Sequence, residues 1–98
     1  MSFVDKLAAV IADRKTNPQE GSYTNRLLAD PPQAAQKVGE EATEVIIAAL
    51  AQSDERLVVD MADLVYHSLV LLQTRNLSWQ DVVAALENRH KEQKSFAE

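Results

Sequence analysis

Five acids recur at helical spacing in two short stretches: Glu40, Glu41 and Glu44 in K-V-G-E-E-A-T-E, and Asp60 and Asp63 in D-M-A-D-L-V-Y-H. Residues three or four apart are neighbours on a helix surface, so each stretch makes a small acidic ledge. About fifteen residues separate Glu44 from Asp60, enough for two helices to fold back on each other through a short turn. Two facing ledges form a cage of carboxylate oxygens. Such a cage of oxygens calls for a hard divalent cation, Mg²⁺ above all.

For any single carboxylate the ordinary explanation is a solvated surface charge. Five acids on adjacent helices, bordering the apolar stripes, are a different matter. Without a cation they would repel one another or hold protons; a metal inverts that logic. A di-iron centre would need E-x-x-H on each of two helices, and only Glu87 and His90 have that spacing. No D-x-D-x-D-G loop is present, which excludes an EF-hand. His67, one turn beyond Asp63, is placed to orient a ligand, exchange a proton or touch substrate, or else to bond Asp63 or a backbone carbonyl. Of the basic residues Arg26, Lys37, Arg56, Arg75 and Arg89, position favours Lys37 as a phosphate contact, because it shares the ledge with Glu41.

Composition narrows the chemistry further. Ninety-eight residues make one domain whose core is adequate and not generous, so an oligomer hiding another apolar face would help. The absence of cysteine removes disulfides and thiolate metal sites and suits the cytoplasm. No uninterrupted apolar run reaches the ~18 residues of a membrane span, and the N-terminal segment lacks the build of a signal peptide. A net charge of −5 argues against a nucleic-acid partner. With only Gly21 and Gly39, no glycine-rich phosphate loop can be built, so phosphate must be gripped by metal and side chains.

The elements that must position these residues are all helical. Ser2 with Asp5 reads as a capping box opening a helix to about Lys15. Thr16 to Tyr23, with Pro18 and Gly21, reads as loop, and Thr24 to Ala29 as a turn of helix before Asp30-Pro31-Pro32. A long helix follows from about Pro32 to Gln52, with Val38, Ala42, Val45, Ile46 and Ala49 as its core stripe and Lys37, Glu41, Glu44 and Ala48 bordering it. Ser53 or Asp54 caps the next, to about Arg75, with Leu57, Met61, Leu64, Ser68, Leu71 and Leu72 facing the core and Asp60, Asp63 and His67 alongside. Asn76 is its stop signal. Ser78 with Asp81 opens a last helix carrying Trp79, Val82, Val83 and Leu86; beyond Glu87 rising charge predicts fraying, over about residues 91–98. Tyr66 and Trp79 read as packing residues. The fold class is all-α, an antiparallel bundle of four helices.

With those residues in place the pattern resembles the α-helical MazG-like nucleotide pyrophosphohydrolases. Their signature is E-x-x-E, a spacer, then E-x-x-D. Glu41, Glu44, Asp60 and Asp63 fit it, with Asp60 standing where the family usually has Glu. Within that superfamily the chain looks like the phosphoribosyl-ATP pyrophosphohydrolases of histidine biosynthesis. The match rests on S-Y-T at Ser22 to Thr24 with Leu27-Leu28, on K-V-G-E-E-A-x-E, on A-D-L-x-Y-H at Ala62 to His67, on V-L-L at Val70 to Leu72 and on L-x-x-R at Leu86 to Arg89. A second departure is Asp30-Pro31-Pro32, where a glycine-containing connector is expected.

The resemblance implies Mg²⁺-dependent hydrolysis of the α–β phosphoanhydride of phosphoribosyl-ATP to phosphoribosyl-AMP and pyrophosphate. It implies metal ligation by Glu41, Glu44, Asp60 and Asp63, with Glu40 as a further ligand or base and Lys37 offsetting charge on the departing pyrophosphate. It places Ser22, Tyr23, Thr24, Lys37, His67 and Arg89 at the substrate, in a homodimer or larger assembly. The competing readings are a house-cleaning MazG-like enzyme acting on nucleoside triphosphates, and a helical interaction module without catalysis.

Overall fold

The computed structural model describes residues 2–92, and they form five helices: α1 (Phe3–Thr16), α2 (Tyr23–Leu28), α3 (Pro31–Ala51), α4 (Asp54–Thr74) and α5 (Trp79–Glu92). No strand occurs among the described residues. The bundle-like all-α class stands, with one element more than the four expected. The extra helix, α2, is short, but it has its own cap: Ser22 Oγ accepts from the Asn25 N–H. Ser22 and Tyr23, expected in a loop, therefore open a helix. At the other end α5 continues to Glu92, past the expected onset of fraying; residues 93–98 lie outside the described part.

Caps define the remaining boundaries. Ser2 and Asp5 make the expected capping box on α1. Ser78 and Asp81 do the same on α5, the Ser78 N–H donating to Asp81 and the Asp81 N–H to Ser78 Oγ. Asp30 caps α3, whose first two positions are Pro31 and Pro32, where a missing N–H costs nothing. Ser53 caps α4, so only Gln52 and Ser53 separate the two long helices. At the end of α4 the chain turns through Asn76 in the left-handed region, φ 59°. The Leu77 N–H reaches back to the Leu72 carbonyl and the Asn76 N–H to that of Gln73, closing the helix. The Lys15 ammonium then bonds both the Gln73 carbonyl and Asn76 Oδ1, tying α1 to this corner.

Helix α4 is the hub: α3 packs along it, and α1 and α2 pack against it. The buried core joins one or two residues from each of four helices: Ile11, Leu27, Ala34, Leu69 and Val70, with Val4, Leu7, Leu28, Val65, Leu71 and Trp79 packed around them. This core lies where the start of α3 meets the end of α4. Toward the Gln52–Ser53 turn no third helix among the described residues covers the two, and Ile46, Ile47, Leu50, Val58, Val59 and Met61 are exposed, Leu50 by 83%.

That distribution corrects the expected stripes. Ile46, Ala49 and Met61, read as core, face outward. The buried line on α3 is Ala34, Glu41 and Ala48, spaced by sevens, and on α4 it is Asp60, His67, Leu69 and Val70. The acids stand inside the seam between the helices. Helix α4 is long and apolar enough, by length and composition, to pass for a membrane span although no uninterrupted apolar run occurs in it; Asp60 and Asp63 interrupt the sequence.

Ile11 is 2% exposed at the centre of the core. Truncation by Ile11→Ala is expected to cost about 2–4 kcal/mol. In a thermal melt followed by far-UV circular dichroism the midpoint falls by roughly 10 °C or more.

Candidate functional site

Glu41 and Asp60 are the deepest charged side chains, 7% and 2% exposed. Each sits at a seam position of its helix, so packing α3 on α4 draws both out of water. A buried carboxylate needs a compensating partner. Each finds one on its own helix, four residues toward the N-terminus. Lys37 Nζ lies 3.4 Å from Glu41 Oε1. Arg56 grips Asp60 with two bonds, Nη2 to Oδ1 at 3.0 Å and Nε to Oδ2 at 3.4 Å.

Compensation is incomplete. Glu41 Oε2 is buried and has no hydrogen-bond partner. Glu44, one turn along and exposed, leans on Glu41. Sharing a bond with Glu41 and its charge raises the Glu44 pKa above the ordinary carboxylate value, helped by partial desolvation and by Asp60 and opposed by Arg56. Glu41, Glu44, Asp60 and Arg56 thus sense one another across the two helices. A small polar pocket of about 170 Å³ opens there, lined by Glu44, Ile47, Gln52, Arg56 and Asp60. Asp63 is half-buried on the same face of α4 as Asp60. Glu40 is exposed and accepts a bond from the Gln36 amide at 3.3 Å. Burial depresses the Lys37 pKa, but Tyr23, Glu41 and Glu40 outweigh it, and the ammonium is held above its usual value.

As the side chains stand, no three His, Asp or Glu groups among the described residues are gathered closely enough to hold an ion. The donor set nonetheless suits a hard divalent cation in kind: oxygens only, one of them buried without a partner, beside a carboxyl that resists ionising for want of positive charge. Both oxygens of Asp60 are engaged by Arg56. Roomier cavities exist, notably an apolar groove of about 460 Å³ between α1, α4 and α5, lined by Ala8, Ala12, Leu69, Leu77 and Trp79 among others. It holds little chemistry, whereas the smaller pocket holds the acids.

The S-Y-T segment is tied to α4. The His67 Nδ1–H donates to the Asp63 carbonyl at 2.7 Å. Nε2 is then the acceptor of the neutral ring, and the Tyr23 hydroxyl donates to it at 2.9 Å. Tyr23 and Tyr66 stack, their centroids 6.4 Å apart, with His67 edge-on to both. Thr24 bonds the Tyr66 hydroxyl, and Arg26 lies over the Tyr23 ring. Three expected substrate contacts therefore have structural duties. Ser22 caps α2, Thr24 holds Tyr66, and buried His67 has both nitrogens engaged within the chain. Tyr23 keeps an exposed flank and lies close enough to Lys37 to act on its charge. Arg89 is not brought to the acids: it is exposed on α5, which packs chiefly against α1.

Arg56 is the participant that sequence reasoning undervalued, treating it as a solvated charge. Its signal was available: a basic residue four before Asp60 on one helix face.

The sequence matches the model of the phosphoribosyl-ATP pyrophosphohydrolase family over residues 4–90. The chain belongs to that family. Among curated relatives of the pyrophosphohydrolase family, the phosphoribosyl-ATP pyrophosphatase of Sulfolobus acidocaldarius is 48% identical over 92% of this chain and 96% of its own length. That of Erythrobacter litoralis is 50% identical over 91% of this chain and 86% of its own length. The histidine biosynthesis bifunctional protein HisIE of Caldanaerobacter subterraneus is 44% identical over 93% of this chain but only 45% of its own length.

The raised Glu44 pKa has a sign that can be read in stability. Folding favours the protonated form, so this contribution is full below the unfolded carboxyl value of 4.5 and is lost as pH rises through the higher folded value. In metal-free buffer the melting midpoint of Glu44→Gln, relative to that of the unaltered chain, is expected to rise as pH is taken from about 4 to about 8.

Proposed function

We propose that the chain is a phosphoribosyl-ATP pyrophosphohydrolase: it hydrolyses the α–β phosphoanhydride of phosphoribosyl-ATP to phosphoribosyl-AMP and pyrophosphate in histidine biosynthesis, in the cytoplasm. The single observation that carries this beyond family membership is Glu41, a buried carboxylate with an oxygen unpartnered among the described residues, beside Glu44 of its own helix, which in turn feels Asp60 across the seam. Retaining that arrangement is costly unless a ligand completes it.

Glu41, Glu44, Asp60 and Asp63 would hold Mg²⁺. Bound there, the ion would neutralise phosphate oxygens and lower the pKa of a water molecule. The protein's share is placement and charge, which is most of what phosphoryl transfer requires. Lys37, held cationic beside Glu41, offsets negative charge on the departing pyrophosphate. Glu40, on the exposed flank of the same turn, orients the attacking water and takes its proton. Tyr23, fixed through His67, presents its ring and Arg26 toward the substrate. No nucleophilic side chain is needed.

The uncovered apolar face of the α3–α4 hairpin supports a homodimer or larger homo-oligomer in which a second copy packs on Ile46, Leu50 and Val58. The pocket beside Glu44 and Asp60 also takes in Gln52 of the hairpin turn, so the same contact would bring a neighbouring subunit beside each site.

Purified protein with phosphoribosyl-ATP and Mg²⁺ is expected to release pyrophosphate, and chelation to abolish release. Glu41→Gln, nearly isosteric, should lower kcat by roughly 10²-fold or more while leaving the circular dichroism spectrum intact. Inertness toward phosphoribosyl-ATP with turnover of deoxynucleoside triphosphates would instead favour the house-cleaning reading. For the assembly, Leu50→Lys should shift the species seen by light scattering toward the monomer; an unchanged mass removes the hairpin as the interface.

A further inference from the structure

The cation that a carboxylate pair calls for is already supplied, in the metal-free chain, by Arg56. Its guanidinium engages both oxygens of Asp60, at 3.0 and 3.4 Å, so a metal ion there has to compete with it. It also faces Glu44 from the neighbouring helix, whose ionisation it favours. It lines the same small pocket as both acids. Asp60 is 2% exposed while the Arg56 side chain is 54% exposed, so the arginine reaches in from solvent and can swing back out at little steric cost. Without it, Asp60 would be a buried charge with no partner, the most destabilising state open to it.

Resting on the reading of the acids as a metal site, we propose that Arg56 is an internal stand-in for the divalent cation. It neutralises Asp60 and Glu44 in the metal-free protein, competes with a metal for the Asp60 oxygens, and thereby sets how tightly the site takes metal. Lys37 plays a milder version of the part on α3: it engages one oxygen of Glu41 and leaves the other open. Arg56, a fork that engages both oxygens of its acid, is the stronger competitor.

The test is calorimetric titration of Mg²⁺ and Mn²⁺ into the full chain, the Arg56→Gln variant and the Arg56→Lys variant, with melting curves in chelator alongside. If Arg56 competes with the metal, Arg56→Gln tightens Kd by roughly 5- to 10-fold, the yield expected from abolishing one partly exposed ion pair. Its midpoint in chelator falls, and the gap between metal-free and metal-loaded midpoints widens. Arg56→Lys, a point charge that cannot span both oxygens, gives a smaller tightening. Should Arg56→Gln fold only with metal, the stand-in role is supported directly; should it not fold at all, the Arg56→Lys titration decides. An unaltered chain that binds metal, with a Kd that is equal or weaker in the variants, overturns the inference and leaves the pyrophosphohydrolase reading intact. If neither the chain nor its variants bind metal, the cage itself is wrong and both fall.

Discussion

Everything in this molecule turns on two carboxylates placed in a helix seam where a hydrophobic residue would cost nothing. Glu41 and Asp60 lie among alanines and valines at the α3–α4 contact. Burying such a charge without relief would destabilise a chain of this size by more than its core could offset. The relief is a cation one turn away on the same helix in each case, incomplete at Glu41 and complete at Asp60. From that single constraint follow the raised Glu44 pKa and the Glu41 oxygen left without a partner among the described residues.

The rest of the fold serves to hold that seam still. Alanines at positions 34 and 48 let α3 approach α4 closely, and the core of Ile11, Leu27, Leu69 and Val70 anchors the far end of the pair. Helix α2, through Tyr23 and Thr24, clasps the middle of α4 at His67 and Tyr66. The Tyr23–His67–Asp63 chain of bonds therefore runs from the helix nearest Lys37 to the backbone carbonyl of an acid on the ledge. Rigidity at this point is what a site dependent on charge placement needs.

Helix existence, caps and the acidic ledges were legible in sequence because each rests on local chemistry: Ser2, Ser53 and Ser78 as caps, Asn76 as a stop, acids spaced by three. The phase of the buried stripe was not. A wheel weighted by side-chain size points α3 toward Ile46 and α4 toward Met61, yet the intrachain seam is built of small residues and acids. Helices with two apolar sides cannot declare which side the same chain covers. Helix α2 was read as a single turn because Gly21 and Pro18 suggest a loop, and only the Ser22 cap argues otherwise. The resemblance places Ser22, Thr24 and His67 at the substrate; the Ser22 cap on Asn25 and the His67 bond to the Asp63 carbonyl are local and within reach of sequence, whereas the Thr24–Tyr66 and Tyr23–His67 bonds join residues far apart in the chain and are not.

Both cation–acid pairs span four residues of one helix, Lys37 with Glu41 and Arg56 with Asp60. Each pair can thus form as its own helix winds, on the submicrosecond scale of helix formation, before the Gln52–Ser53 turn has brought the two together. The hairpin can close without waiting for an ion from solution, and contacts of such short sequence separation make that closure fast. At the proposed metal site, loading would then come late, on a chain that has already found its shape.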